Sequence, residues 1–128
     1  MSLFYLLLWV SYASADPRYS DERTKTAWIN FDNAVERINR LSKIGTYREI
    51  DPVTKILTSP GKKVGLSAQE VQDILPEAVE YGENGYMRVN YEYLFVMGLR
   101  AIQELAYEIN SLYRTLEYVQ RFEEEKNM

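Results

Sequence analysis

The residues after Asn90 constrain this chain most. Roughly 35 of them run without a proline, against a mean helix of about 11 to 12 residues, and their apolar side chains recur at alternating steps of four and three. Tyr91, Phe95, Gly98, Ile102, Leu105, Ile109, Leu112, Leu116 and Val119 form a seam with the period of helices that wind around partner helices. One helix cannot bury such a seam alone. Over the first half, Leu94, Val96, Met97 and Leu99 widen the apolar face, which is the pattern of a helix packed on its own domain. Beyond Leu105 the seam narrows between Glu104, Glu108, Arg114, Glu117, Gln120 and Arg121, and the pattern reads as a parallel oligomeric coil whose number of strands stays open. The run Glu123 to Lys126 reads as a solvated, fraying end.

Upstream of this helix the pattern is mixed. Asp16-Pro17 favours an extended entry, and Asn30 or Asp32 is placed to cap a short helix with Ala34, Val35, Ile38 and Leu41 on its apolar face. Ile44 to Ile50 and Lys63 to Leu66 read as strands of a hairpin, with turn signals at Asp51-Pro52 and Ser59-Pro60-Gly61. Ser67 and Glu70 have the spacing of a capping box, in which each side chain satisfies an amide at the other's position, so a second short helix opens at Ser67 and stops at Pro76. A second hairpin follows, with Asn84-Gly85 supplying the positive backbone angles of its tight turn. The expected fold class is α+β: short helices and β-hairpins, then a long C-terminal helix over about residues 91–126.

The first residues admit two readings. Leu3 to Val10 is apolar and Ala13-Ser14-Ala15 resembles a secretory cleavage site, which would make this a secreted globular protein cut after Ala15. No Lys or Arg precedes the apolar run, however, and the run is too short to span a bilayer. The favoured reading is a strand buried on both faces over Phe4 to Tyr12, the tail of a longer upstream structure.

Composition narrows the function. The chain has 128 residues, enough for one modest core helped by oligomerisation. A net charge of -4 argues against nucleic acid and anionic membrane as partners, because phosphate binding needs clustered Lys and Arg. With no histidine and no cysteine, the imidazole base, the thiol nucleophile and the commonest zinc ligands are missing, and no cofactor or metal is expected. Eleven tyrosines suit strand surfaces and interfaces, where the ring buries and the hydroxyl keeps a polar contact.

One pair of residues then stands out. Ser20 and Lys25 lie in the stretch Tyr19-Ser20-Asp21-Glu22-Arg23-Thr24-Lys25. A serine hydroxyl is a poor nucleophile until a base takes its proton, and a lysine can be that base if burial lowers its pKa. By itself the spacing fits a solvated loop or cap equally well.

Three ordered blocks add to it: Ser20-Asp21-x-Arg23-x-Lys25, then Gly65-x-x-Ala68-Gln69-Glu70-Val71, then Asn90 to Leu105. Together, from Ser20 to about Arg121, they resemble the intramolecular chaperone auto-processing domain at the C-termini of phage tail spikes, tail fibres, neck appendages and endosialidases. Ser67 stands where that family often has an apolar residue, which bears on helix packing more than on chemistry. The resemblance implies a homotrimer that registers an upstream fibre of the same polypeptide during assembly in the host cytoplasm. The domain then releases itself from the mature virion protein. It implies a self-cleaving serine endopeptidase acting once, in cis, between Tyr19 and Ser20, with Ser20 as nucleophile and Lys25 as general base. Asp21 and Arg23 would support the site. Glu70 is read first as a helix cap, with a supporting role at the site as the other possibility. Ile102, Leu105, Ile109, Leu112, Leu116 and Val119 would form the trimer interface. Residues 1–19 would be the end of the fibre and 20–128 the chaperone domain. A non-catalytic trimeric receptor-binding tip of a phage fibre is the alternative.

Overall fold

The computed structural model describes residues 20–128 and divides the chain between Asn30 and Phe31 into two units. The strand expected over Phe4 to Tyr12, the Ala15 cleavage site and Tyr19 lie outside the described residues.

The unit from Phe31 onward runs α1 (Ala34–Asn39), β1 (Ile44–Tyr47), β2 (Lys63–Leu66), α2 (Ala68–Ile74), a 3-10 turn (Pro76–Ala78), β3 (Val79–Tyr81), β4 (Met87–Val89) and α3 (Tyr91–Lys126). This is the expected α+β order. α1 buries Ala34 and packs Val35, Ile38 and Leu41 against the core, the four apolar positions that its sequence spacing places on one face. Its start differs from expectation. Neither Asn30 nor Asp32 caps it; the cap position is Asn33, in the left-handed region at φ 53, and its side chain accepts no capping hydrogen bond. Two of the first-turn amides, those of Ala34 and Val35, are satisfied by a side chain of the last helix.

The first hairpin pairs β1 with β2 antiparallel, with Gly45 opposite Gly65 and Tyr47 opposite Lys63. β1 stops at Tyr47 instead of Ile50, and beyond it only the bridge between Ile50 and Leu57 persists. Past that bridge the Asp51 carboxylate shapes the turn, its Oδ1 accepting from the amides of Val53 and Thr54. Gly65 packs closely against two tyrosines, since a Cβ there would meet the Tyr91 hydroxyl at 2.9 Å and the Tyr47 ring at 3.1 Å and those exposed side chains would have to shift.

The Ser67 hydroxyl accepts from the Glu70 amide and opens α2, which stops before Pro76 as its sequence requires. The second hairpin pairs Val79 with Val89 and Tyr81 with Met87. Gly85 is the turn residue at φ +78, while Asn84 is not in the positive region, so one glycine rather than an Asn-Gly pair carries the reversal. The Gly85 amide donates to the Gly82 carbonyl at 2.9 Å and the Gly82 amide to the Tyr86 carbonyl at 2.9 Å, closing a five-residue loop from Gly82 to Tyr86.

α3 contains 36 residues and is about 54 Å long at about 1.5 Å per residue. The Asn90 side chain caps it by accepting from the Glu92 amide at 3.1 Å. Its first half completes the core: Met97 and Ala101 are buried together with Ala34, Val71, Ile74, Leu75 and Ala78, and Leu94 packs against them. Val96 and Leu99, which the sequence adds to this apolar face, are exposed instead. Every residue from Leu105 to Met128 is exposed in the single chain.

Candidate functional site

Within the first unit, the described residues Ser20 to Asn30 are all exposed. Their local fold is set by Asp21. Its carbonyl accepts from the Thr24 amide at 3.0 Å and the Thr24 hydroxyl at 2.7 Å, and its Oδ1 accepts from the Arg23 amide at 2.9 Å, forming a 3-10 turn over Glu22–Thr24. The Arg23 guanidinium then folds back on the carboxylate, with Nη2 at 2.6 Å from Oδ2 and Nε at 3.0 Å from Oδ1. That fork holds the Asp21 carboxyl below its ordinary range, chiefly through the Arg23 side chain and amide, with Lys25 adding a smaller charge effect. Asp21 and Arg23 thus act on each other and shape the turn between Ser20 and Lys25.

Sequence reasoning missed Trp28. The Lys25 ammonium lies over its ring, 5.9 Å from the centroid. Ala27, at φ 54, makes the reversal between them in a region that an L-residue enters at a cost of about 1–2 kcal/mol. Nothing in the pattern of this stretch signals an alanine in that conformation. Among the described residues no hydrogen bond joins Ser20 to Lys25, and none of residues 20–30 is buried. The turn brings the two into one short segment without enclosing them.

Glu70, the third supporting residue expected, belongs to the second unit and does not return to the Ser67 amide. Its carboxylate bonds the Ser42 hydroxyl at 2.5 Å, the Ser42 amide at 3.1 Å and the Lys43 amide at 3.0 Å, fixing the turn that enters β1. These donors, the Ser42 hydroxyl first and the Lys43 amide second, hold its carboxyl below the usual value. The capping box is therefore half formed, and Glu70 is a tertiary anchor between α2 and the first hairpin. Val71, next to it in the Gly65 to Val71 block, is fully buried. Gly65, Glu70 and Val71 of that block thus serve packing in this unit.

Ile102, Leu105, Ile109, Leu112, Leu116 and Val119, the positions expected at an interface, are all exposed on α3, forming an apolar stripe with polar flanks. Among the described residues no group of acidic side chains is gathered to hold a metal ion, and no helix is long and apolar enough to cross a membrane.

Comparison with known proteins bears on this arrangement. The family model described as chaperone of endosialidase, whose name classes it with the peptidases, matches residues 20–80, a span that begins at Ser20 and includes the Gly65 to Val71 block. The long tail fiber protein Gp37 of Escherichia phage AR1 is 39% identical over 92 residues, covering 66% of this chain. The chain spans 8% of that protein's length.

Proposed function

The chain belongs, through residues 20–80, to the chaperone of endosialidase family, and we propose from this that it is a C-terminal intramolecular chaperone of a phage fibre or appendage protein. It trimerises, sets the register of the fibre that precedes it, and releases itself by cutting between Tyr19 and Ser20. The observation that carries the reading is the uncovered seam of α3, an apolar stripe from Leu105 to Val119 that stays exposed among the described residues. Exposed large apolar side chains in such a row ask for partner helices, and three parallel copies would hide them. Zipping three helices brings three upstream segments to a high effective concentration, so register spreads toward the N-terminus.

The cleavage runs as an acyl transfer within one chain. Lys25, as a neutral amine, takes the proton of the Ser20 hydroxyl as Oγ attacks the Tyr19 carbonyl carbon. The peptide C–N bond breaks, the proton passes to the departing Ser20 amine, and an ester joins Tyr19 to Ser20 Oγ. Water hydrolyses that ester, leaving a Tyr19 carboxylate and a chain that begins at Ser20. A lysine base needs a buried setting, and residues 20–30 do not provide one in the single chain. The upstream fibre or neighbouring copies would supply it, and this makes cutting follow assembly. Asp21 and Arg23 hold the turn, and backbone amides near it would stabilise the oxyanion. The work is done in the host cytoplasm as fibres assemble, without a cofactor.

Exposure of the pair favours a second reading, a trimeric tip that stays attached and binds a receptor without cutting. Intact mass of the chain carrying its native upstream fibre separates the two. Self-cleavage predicts a product beginning at Ser20, lost in Ser20→Ala and slowed severely in Lys25→Ala while both variants stay folded. Normal cutting in either variant would sink the dyad, and an uncut wild-type trimer would favour the retained tip.

A further inference from the structure

α1 has six residues, too few to hold a helix by itself in water, where isolated helices shorter than about 12–15 residues are marginal. It also lacks the usual side-chain cap, because Asn33 is turned into the left-handed region. Two open amides of its first turn go to one residue far along the sequence. The Ala34 amide donates to Glu104 Oε1 at 3.1 Å and the Val35 amide to Oε2 at 2.9 Å. Arg100, one turn earlier on α3, donates from Nε to the Phe31 carbonyl at 3.2 Å and stands 3.7 Å from Glu104 Oε1. Two neighbouring side chains of the long helix therefore grip the backbone at Phe31, Ala34 and Val35. The amides of Val35 and Ala34, in that order, hold the Glu104 carboxyl below its usual value, with Arg100 contributing by its charge, so the grip is ionic at neutral pH.

The placement gives this grip a consequence. Phe31 lies a few residues beyond Lys25, and Glu104 lies between Ile102 and Leu105 of the uncovered seam. The surface of α3 that assembly would order thus also holds the chain where it leaves the Ser20 to Lys25 stretch. We propose that Glu104 is a positioning residue for self-cleavage, fastening the first turn of α1 to α3 so that order imposed on the helix reaches the serine and lysine along the backbone. This inference rests on the self-cleavage reading. Glu104 touches no reacting atom; its effect passes through Ala34 and Val35, with Arg100 holding Phe31 beside them.

The test uses the full chain with its native fibre. Cleavage is followed by intact mass and assembly by sedimentation, while exchange of the Ala34 and Val35 amides is measured in a Ser20→Ala background. Glu104→Ala is expected to remain trimeric, to cut at least tenfold more slowly, and to speed exchange at both amides at least tenfold. Glu104→Gln keeps one acceptor oxygen and sets an NH2 against the other amide, so it should restore protection at one of the two amides and recover part of the cutting rate, a rescue that a general packing defect would not give. A trimeric Glu104→Ala that cuts at the wild-type rate overturns the proposal. So does slow cutting with unchanged exchange at Ala34 and Val35, since the effect would then bypass the grip. If Glu104→Ala fails to fold, a trimeric Glu104→Gln that speeds exchange at Ala34 or Val35 yet cuts at the wild-type rate also overturns it. A wild-type chain that never cuts removes the self-cleavage reading and this role with it, while faster exchange in Glu104→Ala would still identify the grip as structural.

Discussion

Replacing both Ile109 and Leu112 with aspartate strikes the seam where the single chain offers it no cover. The two side chains are 51% and 68% exposed. Full burial of such a residue contributes about 1.5–3 kcal/mol, so covering the part still exposed contributes about 1–2 kcal/mol at each position. Two positions in each of three chains bring the loss to roughly 6–12 kcal/mol, four or more powers of ten in the association constant, before any cost of burying carboxylates. Neither residue belongs to the core around Met97 and Val71, which should keep its stability to within about 0.5 kcal/mol. Sedimentation equilibrium across a range of concentrations should therefore find monomers where the wild type is trimeric, with near-native circular dichroism. Intact mass with the fibre attached should find no product beginning at Ser20. A variant that still forms trimers at wild-type concentration would refute the seam as the interface. A monomer that still begins cleanly at Ser20 would refute the dependence of cutting on assembly.

Other outcomes follow from single positions. Gly65→Ala places a Cβ 2.9 Å from the Tyr91 hydroxyl and 3.1 Å from the Tyr47 ring, an overpacking that should cost about 1–3 kcal/mol and show as a lower thermal midpoint. Gly85→Val puts a β-branched residue at φ +78 and should break the β3–β4 hairpin, seen as loss of the cross-strand amide protection of Val79 and Val89. Acid should destabilise the domain through Glu70 and Glu104, both held below the ordinary 4.5 by the hydrogen bonds they accept. Because their folded values are depressed, the stabilisation is present above the unfolded value and is lost as pH falls through the folded one. Glu70→Gln with Glu104→Gln should thus be less stable at neutral pH and lose less on acidification, measured by urea midpoints; an acid limb equal to the wild type's would contradict the assignment.

What the sequence determined by itself was whatever depends on near neighbours. The seam of α3, the apolar face of α1, the Ser67 and Asn90 starts, the Pro76 stop and the glycine turn at Gly85 all follow from helical periodicity, capping and backbone sterics, which act over a few residues. Ser20 and Lys25 were legible as a pair of residue types and by the blocks around them. Only the tertiary structure decided where the carboxylates around the core make their bonds. Glu104 reads along the helix as one more charge beside the seam, yet it caps α1 across 70 residues, and Glu70 reads as half of a local box, yet it anchors Ser42 and Lys43. A carboxylate goes to whichever unpaired amides folding brings within 3 Å, and no periodicity encodes that meeting. Trp28 stayed hidden for a related reason: its ring reaches Lys25 through a left-handed alanine that local preference disfavours.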